Sequence, residues 1–199
     1  MLKKIALTLF LVITLAVVAV LSIAATRPAT FHVERSLSMA AQPDAVFAVL
    51  DDFHRFHEWS PWQKLDPTMK VTFDGPPTGV GASYSWIGNK DAGEGRMTIL
   101  SATPSSSLTQ KLEFIKPFEE TCAVRFTIAP EGEGSRVTWA IDGNNNYMSK
   151  VMCLFVSMDT MMGKDFESGL VNLKQVAEAE PAQAAAPSAA GESTAPAKP

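Results

Sequence analysis

The residue of this chain best placed for chemistry is a carboxylate inside an apolar stripe. Asp159 follows Phe155 by four positions, so at about 100° per residue it lies roughly 40° from that ring on a helix, among methionines and aromatics. Poor solvation there would raise its pKa and suit it to acid/base work or to anchoring the polar end of a ligand. The structural alternative is an ion pair to a strand arginine such as Arg96 or Arg125, or a bond from a tryptophan N–H. Tyr84 is a second candidate acid/base group. His54 and His57 stand three apart beside Asp51, Asp52 and Glu58, but a zinc site needs three or four ligands at defined spacing. No motif places a third ligand, so the pair reads as a solvated helix face, and no metal or cofactor is assigned. His32, on the first strand, stands alone. Ser60 lacks a nucleophile-elbow sequence. Gly88 to Gly95 lies between two strands rather than between strand and helix, which makes it a hairpin and not a phosphate cradle.

These residues need elements to hold them. Tyr147 to Ala177 predicts one long amphipathic helix, with Met148, Val151, Met152, Phe155, Met158 and Met162 opening a stripe that Phe166, Leu170, Leu173 and Val176 continue. Asn144 to Asn146 can cap its start, and Glu180-Pro181 stops it. Upstream, Thr30 to Met39 alternates as a strand, Pro43 opens a short helix, and Phe53 to Trp59 opens a second that Ser60-Pro61 ends. Six period-two runs follow, at Met69–Phe73, Ala82–Trp86, Glu94–Leu100, Leu108–Phe114, Thr121–Ile128 and Arg136–Ile141, joined by Gly-, Pro- and Asn-rich turns. Tight joins imply antiparallel neighbours, and alternation implies one dry face. The result is an α+β chain: a curved antiparallel sheet with a long C-terminal helix across its concave face.

The remainder of the chain divides into appendages. Residues 1–29 form an anchor and short linker, 30–178 the folded domain, and 179–199 an Ala/Pro-rich tail expected to be disordered. Ile5 to Ala25 is uncharged and long enough to cross a bilayer, with Lys3 and Lys4 marking the cytoplasmic side. A cleaved export signal, with Ser22-Ile23-Ala24 supplying small residues, is the alternative. Either way the domain is exported; in a bacterium it would face the periplasm or the outer side of the inner membrane. Net charge of −4 gives no reason to expect nucleic acid. Two cysteines, Cys122 and Cys153, are too few for a disulfide framework.

The order β-α-α-β6-α resembles the helix-grip fold of the START-like, or SRPBCC, superfamily, which includes polyketide cyclase/dehydrase-like proteins and lipid-transfer domains. The runs Ala41-Gln42-Pro43-Asp44-Ala45-Val46-Phe47-Ala48-Val49-Leu50, Trp59-Ser60-Pro61-Trp62 and Gly163 to Lys174 resemble a membrane-anchored bacterial branch of it. The resemblance implies a mostly apolar cavity between helix and sheet. Its candidate lining is Trp59 and Trp62, the strand residues Tyr84, Trp86, Met97, Phe114, Phe126 and Trp139, and the helix residues Met152, Phe155, Met158, Asp159 and Met162. The same residues could instead close a solid core. The expected function is non-catalytic binding of a hydrophobic small molecule or lipid at the membrane. The alternatives are a polyketide cyclase/dehydrase-like enzyme using Asp159 or Tyr84, and an envelope scaffold with a closed core.

Overall fold

The computed structural model describes residues 1–179, so the tail expected to be disordered lies outside them apart from Ala179. An N-terminal helix α1 (Leu2–Ala25) precedes β1 (Thr30–Met39), α2 (Pro43–Leu50), α3 (Phe56–Trp59), β2 (Lys70–Asp74) and β3 (Ser83–Ile87). Then come β4 (Glu94–Thr103), β5 (Ser107–Lys116), β6 (Glu120–Glu131), β7 (Gly134–Asn144), α4 (Tyr147–Met152) and α5 (Met158–Ala179). The strands form one seven-stranded sheet in the order β1-β7-β6-β5-β4-β3-β2. Every pairing is antiparallel, and the first strand closes against the last, with Val33 opposite Ile141. Register shifts at Glu94/Gly95 and Ile99/Ser101 in the β4–β5 ladder bend the sheet. This is the α+β helix-grip arrangement: a bent antiparallel sheet packed against a long C-terminal helix.

One expectation fails. The helix predicted over 147–177 is two helices, broken at residues 153–157. The reason is competing caps. Asn146 accepts the N–H of Ser149 at 2.8 Å and starts α4, while Ser157 accepts the N–H of Thr160 at 3.1 Å and starts α5 afresh. Residues on either side of the break therefore belong to separate stripes.

The stripe of α5 is built as expected. Phe166, Leu170, Leu173 and Ala177 are buried, and each fully buried Leu or Phe stabilises the fold by about 1.5–3 kcal/mol. The helix rests chiefly on β1, with α2, α3 and β7 alongside. Phe166 stacks flat on Trp139 of β7, ring centroids 4.1 Å apart and planes 9° apart. Gly169 permits this approach, because a Cβ there would lie 2.6 Å from the Trp139 ring.

The α1 helix stands outside this core. Its apolar segment Lys3–Ala25 has mean hydropathy 2.8 and exposes nearly all of its side chains. Its C-terminal end touches α4, where the Tyr147 hydroxyl donates to the Leu21 carbonyl at 2.7 Å and Ala24 is buried.

Candidate functional site

Because α5 sits over the β1–β7 half of the sheet, the β3–β6 half keeps an uncovered inner face. The segment from α3 to Met69 roofs that face and leaves a cavity of about 250 Å³. Inward positions of each strand reach it by alternation: Tyr84 and Trp86 from β3, Met97 from β4, Phe114 from β5, Phe126 from β6 and Trp139 from β7. Trp59, Trp62 and Met162 complete the set, so nine of the thirteen residues expected in the lining are gathered there. Aromatic rings form a continuous wall. Trp59 meets Phe126 and Trp139 edge-on at 5.9 and 5.4 Å, and Phe126 stacks on Trp139 at 5.2 Å. The wall does not fill the space, so the core is not closed.

Four expected residues lie elsewhere. Met152 and Phe155 are exposed on α4 and the turn after it, because the helix break turns them away from the sheet. Met158 packs partly buried against the core but is outside the lining. Asp159 is exposed, and it pairs with neither Arg96 nor Arg125. Arg35 of β1 grips it through two bonds, at 2.7 and 3.0 Å, and reaches Glu167 at 2.8 Å. Asp159, Gly163 and Glu167 recur every fourth residue, and the guanidinium lies over Gly163. Hydrogen bonding to Arg35 holds the Asp159 carboxyl below its ordinary value, the reverse of the rise expected for a poorly solvated acid.

The polar groups of the cavity are few. Gln110 of β5 is buried in the lining. Asp165 of α5 accepts the indole N–H of Trp62 at 3.3 Å, the kind of tryptophan–carboxylate contact expected for Asp159. Burial pushes the Tyr84 phenol up to about 12, so at neutral pH it is an uncharged hydroxyl and not a base. The buried indole N–H groups of Trp59 and Trp139 have no hydrogen-bond partner among the described residues. Sequence reasoning missed Gln110 and Asp165, although both left a signal. Gln110 shares the parity of Leu108, Leu112 and Phe114, and Asp165 lies three residues after Met162 and next to Phe166.

One buried carboxylate shapes the lip. Asp66 accepts the backbone N–H and hydroxyl of Thr68 at 2.9 and 2.7 Å, and the N–H of Asn89 at 2.7 Å. It thereby ties the turn carrying Leu65 and Met69 to the β3–β4 hairpin carrying Asp91 and Ala92, all four of which line the cavity. These bonds hold its carboxyl below the ordinary value. The histidines lie outside the lining: His54 stacks on Phe73 at 4.1 Å and contacts Asp52, and the His57 ring contacts the His54 carbonyl. Cys122, buried, and Cys153, half-buried, are free thiols.

Residues 30–178 match the family described as polyketide cyclase/dehydrase and lipid transport. The chain belongs to that family. Its members share a helix-grip fold that binds hydrophobic ligands, and the match spans the sheet, the cavity and α5 while leaving α1 outside. No protein of curated function matches the chain in sequence. Among solved structures, a protein from Chromobacterium violaceum is similar over 77% of this chain and 100% of its own, at 14% identity and a TM-score of 0.52. A protein from Mesorhizobium loti is similar over 75% and 96%, at 18% identity and a TM-score of 0.53. The di-domain ARO/CYC StfQ from the steffimycin biosynthetic pathway is similar over 75% of this chain and 52% of its own, at 11% identity and a TM-score of 0.53. At these identities the likeness is one of fold alone.

Proposed function

We propose that the protein is a membrane-tethered, non-catalytic binder of a small hydrophobic molecule, held between α5 and the β3–β6 half of the sheet. The observation that carries this reading is an unfilled cavity walled almost wholly by aromatic and aliphatic side chains. Its size limits the ligand. An apolar cavity of about 150 Å³ takes one benzene ring, and pockets for drug-sized ligands start near 300 Å³. At about 250 Å³ this cavity suits a fused two-ring aromatic or a short acyl chain rather than a whole two-chain phospholipid. Gln110 and Asp165 supply the polar contacts that would orient such a ligand.

The tether reading rests on α1. Its length and apolarity suit a bilayer span, and its packing against α4 favours retention over removal as a signal. With Lys3 and Lys4 on the cytoplasmic side, the domain lies on the opposite face of the membrane.

A cyclase/dehydrase-like enzyme is the second reading, favoured by the family's description and by Asp165 and Tyr84 standing in the lining. Native mass spectrometry of the full chain released from detergent separates the two. A retained N-terminus with a small apolar molecule bound, returned chemically unchanged after incubation, supports the binder. Conversion of that molecule, abolished by Asp165→Asn, supports the enzyme. An empty cavity that takes up no naphthalene would refute both.

A further inference from the structure

The two ends of the sheet differ in what they expose. Register places the start of β1 beside the end of β7, Thr30 opposite Asn144. The β5–β6 hairpin follows at the same end, with Phe114 opposite Glu120, and so does the β3–β4 hairpin, with Ile87 opposite Glu94. Lys70 of β2 faces Ile87, which brings the turn before β2 there as well. This end carries α1. It also carries large apolar side chains in the open: Phe118, Ile115 and Ile87 on the hairpins, and Met148, Met152 and Phe155 on α4 and its following turn. Phe155, Phe118 and Met148 are 76%, 72% and 71% exposed, values at which an apolar side chain gains most from a partner. The exposed residues of the cavity lining, Leu65, Asp91 and Phe114, belong to this end too, so the cavity opens there.

We propose that this end of the domain docks on the bilayer that α1 spans, with Phe118 and Phe155 inserted among the lipids and the mouth of the cavity set against the membrane. The inference rests on the tether reading. The occupant is named by the anchor: Tyr147 bonds to Leu21 within the apolar span, so α4 reaches the depth of the last turns of α1. The link between anchor and β1 is short and pinned. Asn145 donates its backbone N–H to Ala29 at 2.8 Å and its side-chain N–H to Pro28 at 3.3 Å. Four residues, 26–29, span at most about 14 Å even when extended, so this end cannot leave the membrane surface. Charge is not the driving force, because Lys90, Lys116 and Lys150 alternate with Asp91, Glu94 and Glu119, and Lys116 is paired to Glu94 at 2.7 Å. Docking is therefore apolar insertion, independent of lipid charge and little weakened by salt. A ligand entering by this mouth comes from the lipid phase without crossing water.

The test uses the full chain, with Cys122→Ala and Cys153→Ser, in vesicles of phosphatidylcholine, a zwitterionic lipid of no net charge. Spin labels are placed singly at Leu65→Cys, Phe118→Cys and Phe155→Cys, at Val12→Cys within α1, and at Ser106→Cys on the turn at the opposite end. Relaxation by oxygen, which concentrates in lipid, is compared with relaxation by a water-soluble nickel chelate. Labels at 65, 118 and 155 are expected to favour oxygen, like the label at 12, while the label at 106 favours nickel. If 65, 118 and 155 follow 106 while 12 stays in lipid, the tether stands and the docking falls. Shielding of 118 and 155 from both reagents means a protein partner or second copy covers them, and also overturns the docking. A label at 12 open to nickel removes the tether reading, and the docking with it.

Discussion

Phe166→Ala asks whether one aromatic wall both seats α5 and bounds the cavity. Phe166 is 1% exposed and lies flat on Trp139 at 4.1 Å, so truncation removes burial, leaves a void and breaks a stack. Buried Phe→Ala changes cost about 3–5 kcal/mol, of which a stacked ring pair accounts for about 0.5–1.5. The void would merge with the existing cavity rather than collapse, which keeps the loss near 4 kcal/mol. For a domain of this size each kcal/mol lowers the melting temperature by about 2–4 °C, so the midpoint should fall by about 8–16 °C. Phe166→Leu retains most of the apolar volume and should cost about 1.5 kcal/mol or less. The assay is near-ultraviolet circular dichroism of the full chain in detergent micelles during heating. Binding is the second readout: the wild type should take naphthalene in preference to anthracene, and the enlarged cavity of the Ala variant should admit both. A fall below about 3 °C, or equal midpoints for the Ala and Leu variants, would show that the stack does not seat the helix. Unchanged selectivity would show that Phe166 does not bound the ligand space.

Three further outcomes follow from the same geometry. The Asp66 carboxyl is held below its ordinary value, so its contribution is complete above about pH 4 and disappears as pH falls through the lowered folded value; an Asp66→Asn variant should melt lower than wild type at pH 7 and lose that difference in strong acid, and a constant difference would contradict the pinning of the lip. Tyr84 is raised to about 12 from 10.0, so between those values the unfolded chain releases its proton first and stability falls as pH rises; Tyr84→Phe should flatten that part of the stability curve while retaining naphthalene binding, and loss of binding would mean that the hydroxyl contacts the ligand. Asp159→Asn leaves Arg35 bonded to Glu167, so naphthalene affinity should stay at the wild-type level with a small drop in melting temperature, whereas abolished binding measured by fluorescence would return Asp159 to the site.

Much of the architecture was legible because strands and spans are local patterns. Six period-two runs became six strands within a few residues of their expected limits, and the uncharged run from Ile5 became α1. The helix break was written in Ser157, but the apolar spacing of α4 and α5 happens to stay in phase across it and hides the cap. Asp159 keeps the face of Phe166 and Leu170 within α5, but it stands in the first turn of that helix, where Arg35 of β1 holds it outside the cavity lining. Seven lining residues agree with strand parity and helix spacing, and Trp59 and Trp62 come from the run that carries the family resemblance. Gln110 and Asp165 escape because apolar neighbours mark a face as inward without showing whether a solid core or a cavity lies against a polar residue on it.

The sequence alone determined the order of elements as far as β7, the dry face of each strand, the apolar stripe of α5 and the span of α1. These depend on neighbours two to four residues apart. Tertiary structure alone decided that α5 lies over β1 and β7, that Arg35 reaches across to Asp159 and Glu167, and that a cavity remains over β3–β6. Those outcomes depend on how far two curved surfaces can close before glycine contacts and stacked rings stop them, a distance that no single segment carries.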